Sequence, residues 1–249
     1  MVTRNELESH LAALLQVERF QDYGPNGLQV EGRPEIRKLV SGVTASLALI
    51  EAAARAGADA IVVHHGLFWR GQTGRVVGWM RRRLQALLSN EINLFAYHLP
   101  LDAHPELGNN AQFGARIGLR CDARFGEQDL GFCGDASSLR SVADLVGALQ
   151  AALGRAPMAV LGDGRALRRI AWCTGGAQGF FEAAIDAGAD AFVTGEISEP
   201  QAHIARETGV AFLACGHHAT ERFGAPALGA HVAQRFQVEH QFVEIHNPA

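Results

Sequence analysis

The sequence predicts an α/β fold that is divided into two related lobes. Short apolar segments alternate with segments of helical spacing along most of the chain, and such alternation requires crossover connections and a largely parallel sheet. A stretch of the first half is also repeated in the second half. Glycine and aspartate are frequent between residues 125 and 138, and we place the boundary there, between lobes of residues 1–125 and 126–249.

The elements of the first lobe follow from capping signals and apolar spacing. Thr3-Arg4-Asn5-Glu6 fits a capping box, and leucines follow it at helical spacing. The segment Asp22–Gly27 has the composition of a turn. Strands and helices are then predicted in alternation, at Leu39–Val43 (strand), Leu47–Ala56 (helix), Ala60–Val63 (strand), Trp79–Leu88 (helix) and Ile92–Tyr97 (strand).

In the second lobe the same signals are weaker. Ser138 is predicted to cap a helix whose leucines and valines extend to Leu153. The apolar segments Met158–Leu161 and Leu167–Cys173 flank Gly162-Asp163-Gly164, which predicts a hairpin or a tight strand pair. A further strand is predicted at Val210–Ala214.

The internal repeat relates the two lobes directly. Residues 51–63 align without gaps with residues 182–194, and nine of the 13 positions are identical at an offset of 131. The same register places His64-His65 opposite Gly195-Glu196. The two lobes are therefore expected to share a scaffold and to differ in the side chains at the end of one strand.

Composition excludes several functional classes. The 249 residues are 48% hydrophobic, which is ample for a sizeable core. A net charge of -4 gives no overall basic field, so nucleic acid is an unlikely partner. No apolar run reaches the roughly 18 residues of a membrane span, and the N-terminus lacks the apolar region of a signal peptide. The four cysteines have no CxxC spacing, as in a reduced cytoplasmic protein.

The side chains with the clearest chemistry are two adjacent histidines at a strand end. His64 and His65 follow the apolar run Ala60–Val63 and precede Gly66. Neighbouring strand residues point to opposite faces, so we expect the chain to turn at this pair, as Gly66 permits. Two neutral imidazoles would then lie at one mouth of a sheet, which is a suitable place for a metal ion.

Two further clusters follow predicted strands. His98 and Asp102 lie beyond the strand that ends at Tyr97, and His217 and Glu221 lie beyond Ala214, four residues apart and so on one face of a helix. These ligands are more than one tetrahedral ion needs, and they suit two divalent ions about 3.5–4 Å apart with a bridging carboxylate. Nitrogen and oxygen donors without thiolate fit Zn, Fe, Mn, Co or Ni. The ligands predicted are His64, His65, Asp102, His217 and Glu221.

Several of these residues have other interpretations. His98 is either a group that orients a ligand or a general acid/base. Asp102 could instead cap a helix that begins near Pro105, and Glu221 could be an ordinary acid of a first helical turn. Glu196 could line the same cleft, because it occupies the position equivalent to His65.

Two other motifs also have more than one interpretation. Arg81–Arg83 is either a solvated helix face or a contact for an anion. Thr174–Gly179 resembles the glycine-rich strand-to-helix turn of a phosphate-binding loop, but it has neither GxGxxG nor a P-loop lysine, and close helix packing explains it equally well.

Long motifs spread over nearly the whole chain resemble the Nif-three-like family, also described as dinuclear-metal-centre hexameric proteins or GTP cyclohydrolase type 2 homologues. The motifs are Asp22–Gln29, Val63–Trp69, Tyr97–Asp102, Gly108–Ala111 and Gly216–Arg222. The resemblance implies two pseudo-repeated α/β lobes with a metal cleft between them. It also implies two metal ions on the five ligands named above, with Glu221 as a bridge, and a homohexamer.

The resemblance further implies a metal-dependent hydrolase. In GTP cyclohydrolase-like chemistry a hydroxide attacks C8 of a purine ring, so the expected substrate is a nucleotide, and His98 is expected to carry the proton. The alternative is a protein without catalytic activity that binds or delivers metal or interacts with regulatory proteins. The apparent excess of histidines and carboxylates favours catalysis.

Overall fold

The computed structural model describes all 249 residues and contains thirteen strands and ten α-helices. The strands are β1 (Val2–Thr3), β2 (Gly27–Val30), β3 (Glu35–Ile36), β4 (Lys38–Thr44), β5 (Ala60–His65), β6 (Asn93–Ala96), β7 (Ala123–Phe125), β8 (Gly131–Asp135), β9 (Met158–Val160), β10 (Arg169–Trp172), β11 (Ala191–Thr194), β12 (Ala211–Ala214) and β13 (Glu239–Phe242). The helices are α1 (Arg4–Leu14), α2 (Leu47–Arg55), α3 (Gly78–Ser89), α4 (Leu99–Ala103), α5 (Asn109–Arg116), α6 (Val142–Leu153), α7 (Phe181–Asp186), α8 (Glu199–Thr208), α9 (His217–Glu221) and α10 (Gly224–Phe236). The predicted α/β class is confirmed.

The chain forms two compact units, each with its own sheet. Unit 1 consists of residues 1–108 and 224–246, and unit 2 of residues 109–223 and 247–249. This division differs from the boundary predicted between residues 125 and 126. Phe113 of α5 lies in the same apolar cluster as Trp172 of β10, which assigns α5 to unit 2. Leu228 of α10 lies in a cluster with Phe95 of β6, which returns α10 to unit 1.

The sheet of unit 1 has five strands in the order β13-β4-β5-β6-β2, all parallel except β2. Alternate residues of β5 enter two different apolar clusters: Ile61 packs with residues of α2 and α3, and Val62 packs with residues of α1 and α10. Both faces of the sheet are therefore covered by helices, as expected for a parallel sheet. The parallel strands β5 and β6 end at the same edge, from which His64, His65 and His98 extend.

The sheet of unit 2 has six strands in the order β7-β8-β10-β11-β12-β9, with β10, β11 and β12 parallel. The hairpin predicted from Met158–Leu161 and Leu167–Cys173 is wrong. β9 pairs with β12 at the sheet edge, and β10 pairs with β8 and β11. Apolar patterning marked both segments as strands, but pairing partners depend on the whole sheet.

One helix of unit 2 also begins later than predicted. The N-cap of α6 is Ser141 rather than Ser138, and Ser141 forms a capping box with Asp144. A carboxylate three residues after the serine is the decisive signal, because each side chain then satisfies a backbone N–H of the other residue. The same arrangement, predicted at Thr3, is present there with Glu6.

The repeat is preserved in three dimensions as a strand, a helix and a parallel strand in each unit. In unit 1, Asp59 accepts hydrogen bonds from the backbone N–H groups of Arg37 and Lys38 at 2.7 and 3.0 Å. In unit 2, Asp190 accepts the equivalent bonds from Arg168 and Arg169 at 2.8 and 3.0 Å. Each aspartate lies just before its second strand and holds the start of the first, so the pair fixes the register of the two strands.

None of the ten helices combines the length and the apolar character that a membrane crossing requires.

We predict that Asp59→Ala lowers the free energy of unfolding by about 2–3 kcal/mol, because it leaves two backbone donors and Arg33 without their carboxylate. Asp190→Ala should cost less, because its hydrogen bond to Arg168 is exposed. Urea unfolding measures both changes. Glu207→Ala, at an exposed position of α8, serves as the control, and an Asp59 variant as stable as this control would contradict the assigned role.

Candidate metal centre

The histidine pair forms the last two residues of β5, so the strand ends two residues later than the predicted Val63. The strand continues through His65 and the chain turns after it, yet the two ring centroids are only 4.5 Å apart. Gly66 has a different role from the one expected. A Cβ at Gly66 would collide with the amide of Gln29, whose Oε1 accepts the backbone N–H of Leu67 at 2.7 Å. Gly66 therefore leaves the space that the amide of Gln29 occupies where this amide binds the loop after the histidines.

His64 is completely buried and its ring is held in one orientation. Its Nδ1 lies 3.1 Å from the carbonyl oxygen of Tyr97. A carbonyl only accepts hydrogen bonds, so Nδ1 carries the hydrogen, and in the neutral ring Nε2 presents its lone pair. Nε2 lies 3.6 Å from Oδ1 of Asp102. This tautomer and this position are those of a metal-binding histidine whose second nitrogen is fixed by a backbone acceptor.

His65 is half-buried, and the hydroxyl of Thr44 lies 3.1 Å from its Nδ1. Thr44 is the residue paired with His65 across β4 and β5, so the register of the sheet brings the hydroxyl to the ring. Nδ1 of His65, like Nδ1 of His64, therefore has a partner within the unit.

His98 is oriented by a carboxylate that sequence analysis did not single out. Oδ1 of Asp22 lies 2.7 Å from Nδ1 of His98, and Oδ2 accepts the backbone N–H of Leu99 at 2.9 Å and the amide of Asn26 at 2.9 Å. Burial would raise the pKa of Asp22, but the hydrogen bonds from His98, Asn26 and Leu99 outweigh burial and lower this pKa to about 2. Asp22 is thus ionised at neutral pH, and Nδ1 of His98 donates to it.

These three histidines form a cluster of possible metal ligands. One ring nitrogen from each of His64, His65 and His98 lies within 4.8 Å of the others. Trp69 contacts the ring of His98 edge to face, with centroids 5.0 Å apart. Asp102 adds an oxygen donor beside His64. Imidazole and carboxylate donors without thiolate fit a divalent transition ion. Each of the three rings is oriented through Nδ1, so Nε2 is the nitrogen that points away from that partner.

Asp102 reaches this position from a short helix. It lies within α4, which begins directly after His98 with Pro100 in its first turn, and the carboxylate is almost fully buried. The alternative prediction, in which Asp102 caps a helix that begins near Pro105, is wrong. Residues 105–107 form a turn, and the next helix begins at Asn109.

Unit 2 carries a group centred on His217. Both predicted ligands of this unit lie on α9, one helical turn apart, and Nε2 of His217 is 3.1 Å from Oε2 of Glu221. Glu196 follows β11, the position equivalent to His65, and its Oε1 lies 2.6 Å from Nδ1 of His217. Both ring nitrogens therefore face carboxylates. The hydrogen bond to Glu221 is the largest of the effects that raise the pKa of His217 to about 9, and burial opposes it.

This arrangement favours a cation in unit 2. Without a metal ion, two carboxylates stabilise a protonated imidazole between them. An ion bound through Nε2 would replace that proton, as ligand histidines must be neutral to bind a metal.

The glycine-rich turn after β10 packs directly against this group. Gly175 has a φ of +71°, and a Cβ there would collide with Oε1 of Glu221 and approach Nε2 of His217 at 3.3 Å. The backbone N–H of Gly175 donates to the hydroxyl of Thr220 at 3.0 Å. Of the two interpretations of this turn, close packing is confirmed, and the packing is against the candidate ligands themselves.

The structure therefore brings the predicted residues together within each unit. His64, His65, His98 and Asp102 cluster in unit 1, and His217 and Glu221 pair in unit 2. That the five predicted ligands form one centre stays a prediction. Sequence analysis missed Asp22, although it lies in a quoted turn motif, because nothing local indicates that this turn reaches His98.

Comparisons with known proteins agree with the fold and the motifs. The family model described as Duf34/NIF3 (NGG1p interacting factor 3) matches residues 2–248. A Pseudomonas aeruginosa protein named GTP cyclohydrolase 1 type 2 homolog is 51% identical over 238 residues, 94% of each chain. The protein of the same name from Escherichia coli (strain K12) is 47% identical over 245 residues, 98% of each chain. The solved structure of protein ybgI, described as of unknown function, matches with a TM-score of 0.96 and 45% identity over the whole of both chains.

We predict that Gly175→Ala destabilises the protein more than Gly188→Ala. Both positions have positive φ, +71° and +79°, but a Cβ at Gly188 meets no atom within 4 Å. Gly188→Ala should cost about 1 kcal/mol of backbone strain, and Gly175→Ala a further ~1–3 kcal/mol because Glu221 must move. Urea unfolding of the two variants measures the difference, and equal losses would show that the contact with Glu221 is unimportant.

Proposed function

The chain belongs to the Duf34/NIF3 family, and on this premise we propose that it is a metal-dependent hydrolase that acts on a nucleotide. The observation that carries the proposal is the cluster of His64, His65 and His98, in which each ring is oriented through its Nδ1. Three imidazoles fixed in this way beside a buried carboxylate are difficult to explain as packing, because burying polar groups costs free energy that apolar side chains would not.

We assign two divalent ions to this protein, with His64, His65, Asp102, His217 and Glu221 as their ligands. The donors in each unit support the assignment. In unit 1, Tyr97 and Thr44 contact Nδ1 of His64 and His65, so Nε2 of each ring is the proposed donor to an ion. In unit 2, the carboxylate of Glu221 already pairs with the imidazole of His217. Glu221 is the proposed bridging ligand, because a carboxylate has two oxygens for two ions. The donor set suits Zn, Fe, Mn, Co or Ni equally.

Bound ions of this kind supply a nucleophilic hydroxide near neutral pH and polarise the bond that is attacked. The chain's own residues supply the proton transfer. Asp22 holds Nδ1 of His98, so Nε2 of His98 accepts a proton and later returns it, while the carboxylate stabilises the imidazolium that forms. His98 is thus assigned as the catalytic residue, and Asp22 as the residue that positions it.

The proposed substrate is a purine nucleotide, as GTP in the name of the relatives suggests. Hydrolytic opening of such a ring requires addition of water at C8. Trp69 supports this choice, because it is partly exposed beside His98 and His65, with ring centroids 5.0 and 6.0 Å away, and offers an aromatic surface to a base.

The proposal extends to assembly and location. We propose a homohexamer, which the family motifs imply. We propose that it is cytoplasmic, because all four cysteines are free, namely Cys121, Cys133, Cys173 and Cys215.

A second candidate is a protein without catalytic activity that binds or delivers metal or interacts with a regulatory partner. The description of the family as an interacting factor favours it. The two functions differ in what the ions do: a hydrolase needs an open coordination position, whereas a storage or structural site is saturated by protein ligands.

The central prediction concerns metal content and turnover together. Protein purified without chelator should contain at least two divalent ions per chain by elemental analysis, and Glu221→Ala should lose most of the two held by the proposed centre because the bridging oxygens are gone. With defined metal, the protein should hydrolyse GTP, and the His64→Ala/His65→Ala variant should lose this activity, as followed by chromatography of the products.

Each result has a distinct meaning. Glu207→Ala, an exposed acid of α8, is the control for metal content. Unchanged metal in Glu221→Ala would defeat the ligand assignment. Full metal content without turnover above the double-histidine variant would remove the nucleotide substrate and leave the non-catalytic function.

A further prediction isolates the role of Asp22. Asp22→Asn should reduce kcat by about 10²–10⁴-fold with a much smaller change in KM, because an amide can hold His98 in the wrong tautomer and no longer stabilises its cation. Metal content should be unchanged. Asp163→Asn, which alters an exposed carboxylate paired with Arg165, is the matched control. Equal kcat in the two variants would refute the positioning role.

A further inference from the structure

A second pair of histidines lies in unit 1 on helices that carry none of the ligands described above. His10 is on α1 and His231 is on α10. Their Nε2 atoms are 3.0 Å apart, and their rings are nearly parallel, with an interplanar angle of 3° and centroids 5.2 Å apart. Phe236 packs edge-on against His10 at 5.2 Å and so fixes the ring from the other side. The two nitrogens are directed at each other by the packing of the two helices.

The contact between the two Nε2 atoms can hold one hydrogen or one metal ion. Two facing imidazole nitrogens can share a single hydrogen, because two N–H groups cannot point at each other at this distance. One nitrogen is then the donor and the other the acceptor. A divalent transition ion can take the place of the shared hydrogen, because imidazole is a preferred ligand of Zn, Ni and Cu.

The surroundings disfavour protonation of His10 and leave its ring beside open space. Burial, followed by the nearby His231 and Arg235, lowers the pKa of His10. His10 also borders a cavity of about 470 Å³, whose other lining residues are Asn5, Glu6, Ser9, Arg235 and Phe236. Glu6 and Arg235 are the charged groups of this lining. Glu6 is held by Thr3 through Oε2, in the capping box of α1, so water from the cavity is the natural source of further ligands.

We propose that His10 and His231 form an additional binding site for a divalent transition-metal ion, built from residues different from those of the proposed catalytic centre. Metal–nitrogen bonds of 2.0–2.1 Å in tetrahedral geometry place the two nitrogens about 3.3 Å apart. The nitrogens therefore need to separate by only a few tenths of an ångström, and the rings, which face each other almost head-on, also need to tilt so that both lone pairs reach one ion. An ion held in this way joins α1 to α10, the N-terminal and C-terminal helices of unit 1, and so stabilises the folded unit by binding only to it.

The test measures Ni²⁺ binding in a protein whose proposed catalytic centre is disabled. In the His64→Ala/His65→Ala background, equilibrium dialysis against Ni²⁺ followed by elemental analysis gives the bound ions per chain. Adding His231→Gln should remove one Ni²⁺ per chain, because the glutamine side chain can still hydrogen-bond to His10 but offers no imidazole. The Tm increase that Ni²⁺ causes in the background should be lost in the same variant.

His203→Gln is the matched control, since His203 is exposed on α8 and pairs only with Glu199 in its own helix. It should leave the Ni²⁺ count and the Tm increase unchanged. His10→Asn provides a second variant, and far-UV circular dichroism verifies that each protein is folded. An equal Ni²⁺ count in the background and in both folded histidine variants would show that the pair shares a hydrogen and binds no metal. This outcome is independent of whether the protein hydrolyses GTP.

Discussion

The hydrogen bonds from two adjacent backbone N–H groups to Asp59, and from the equivalent groups to Asp190, are the constraint on which the rest of the structure depends. Each carboxylate joins the start of one strand to the start of its parallel neighbour. Once the strand starts are aligned, their ends are aligned as well, since rise per residue is nearly constant. The alignment places His65 beside Thr44 in unit 1, and it places Glu196 just beyond the equivalent strand of unit 2. The same scaffold thus delivers a nitrogen donor in one unit and an oxygen donor in the other.

The orientation of the candidate ligands depends on groups that are not ligands. The carbonyl of Tyr97 determines which nitrogen of His64 is available, and Asp22 determines the same for His98. His217 differs, because carboxylates face both of its nitrogens and keep it protonated in the absence of metal. The glycine at position 175 allows Glu221 to approach the backbone. The chemistry of the candidate ligands therefore depends also on the groups that hydrogen-bond to them, because these groups decide which ring nitrogens carry hydrogen.

Local signals predicted much of this correctly. The capping box at Thr3, the strand–helix–strand order of the repeat and the helical spacing of His217 and Glu221 all depend on residues within a few positions of each other. Errors arose where distant segments compete. Met158–Val160 was assigned to a hairpin because glycines follow it, but its backbone pairs with β12 at the sheet edge. The N-cap error has a local cause: Ser138 was predicted, and the capping box that Ser141 forms with Asp144 went unnoticed.

The sequence by itself determined the donor types, their positions just beyond strands, the repeat and the family, because these are properties of residue identity and short spacing. Only the tertiary structure decided which donors meet. Asp22 and His98 are 76 residues apart, and Glu196 and His217 are 21 apart. Such contacts follow from strand register and from the packing of turns against a sheet, which no local pattern records. The same reason explains His10 and His231, 221 residues apart, whose pairing became visible only when the first and last helices of unit 1 were packed together.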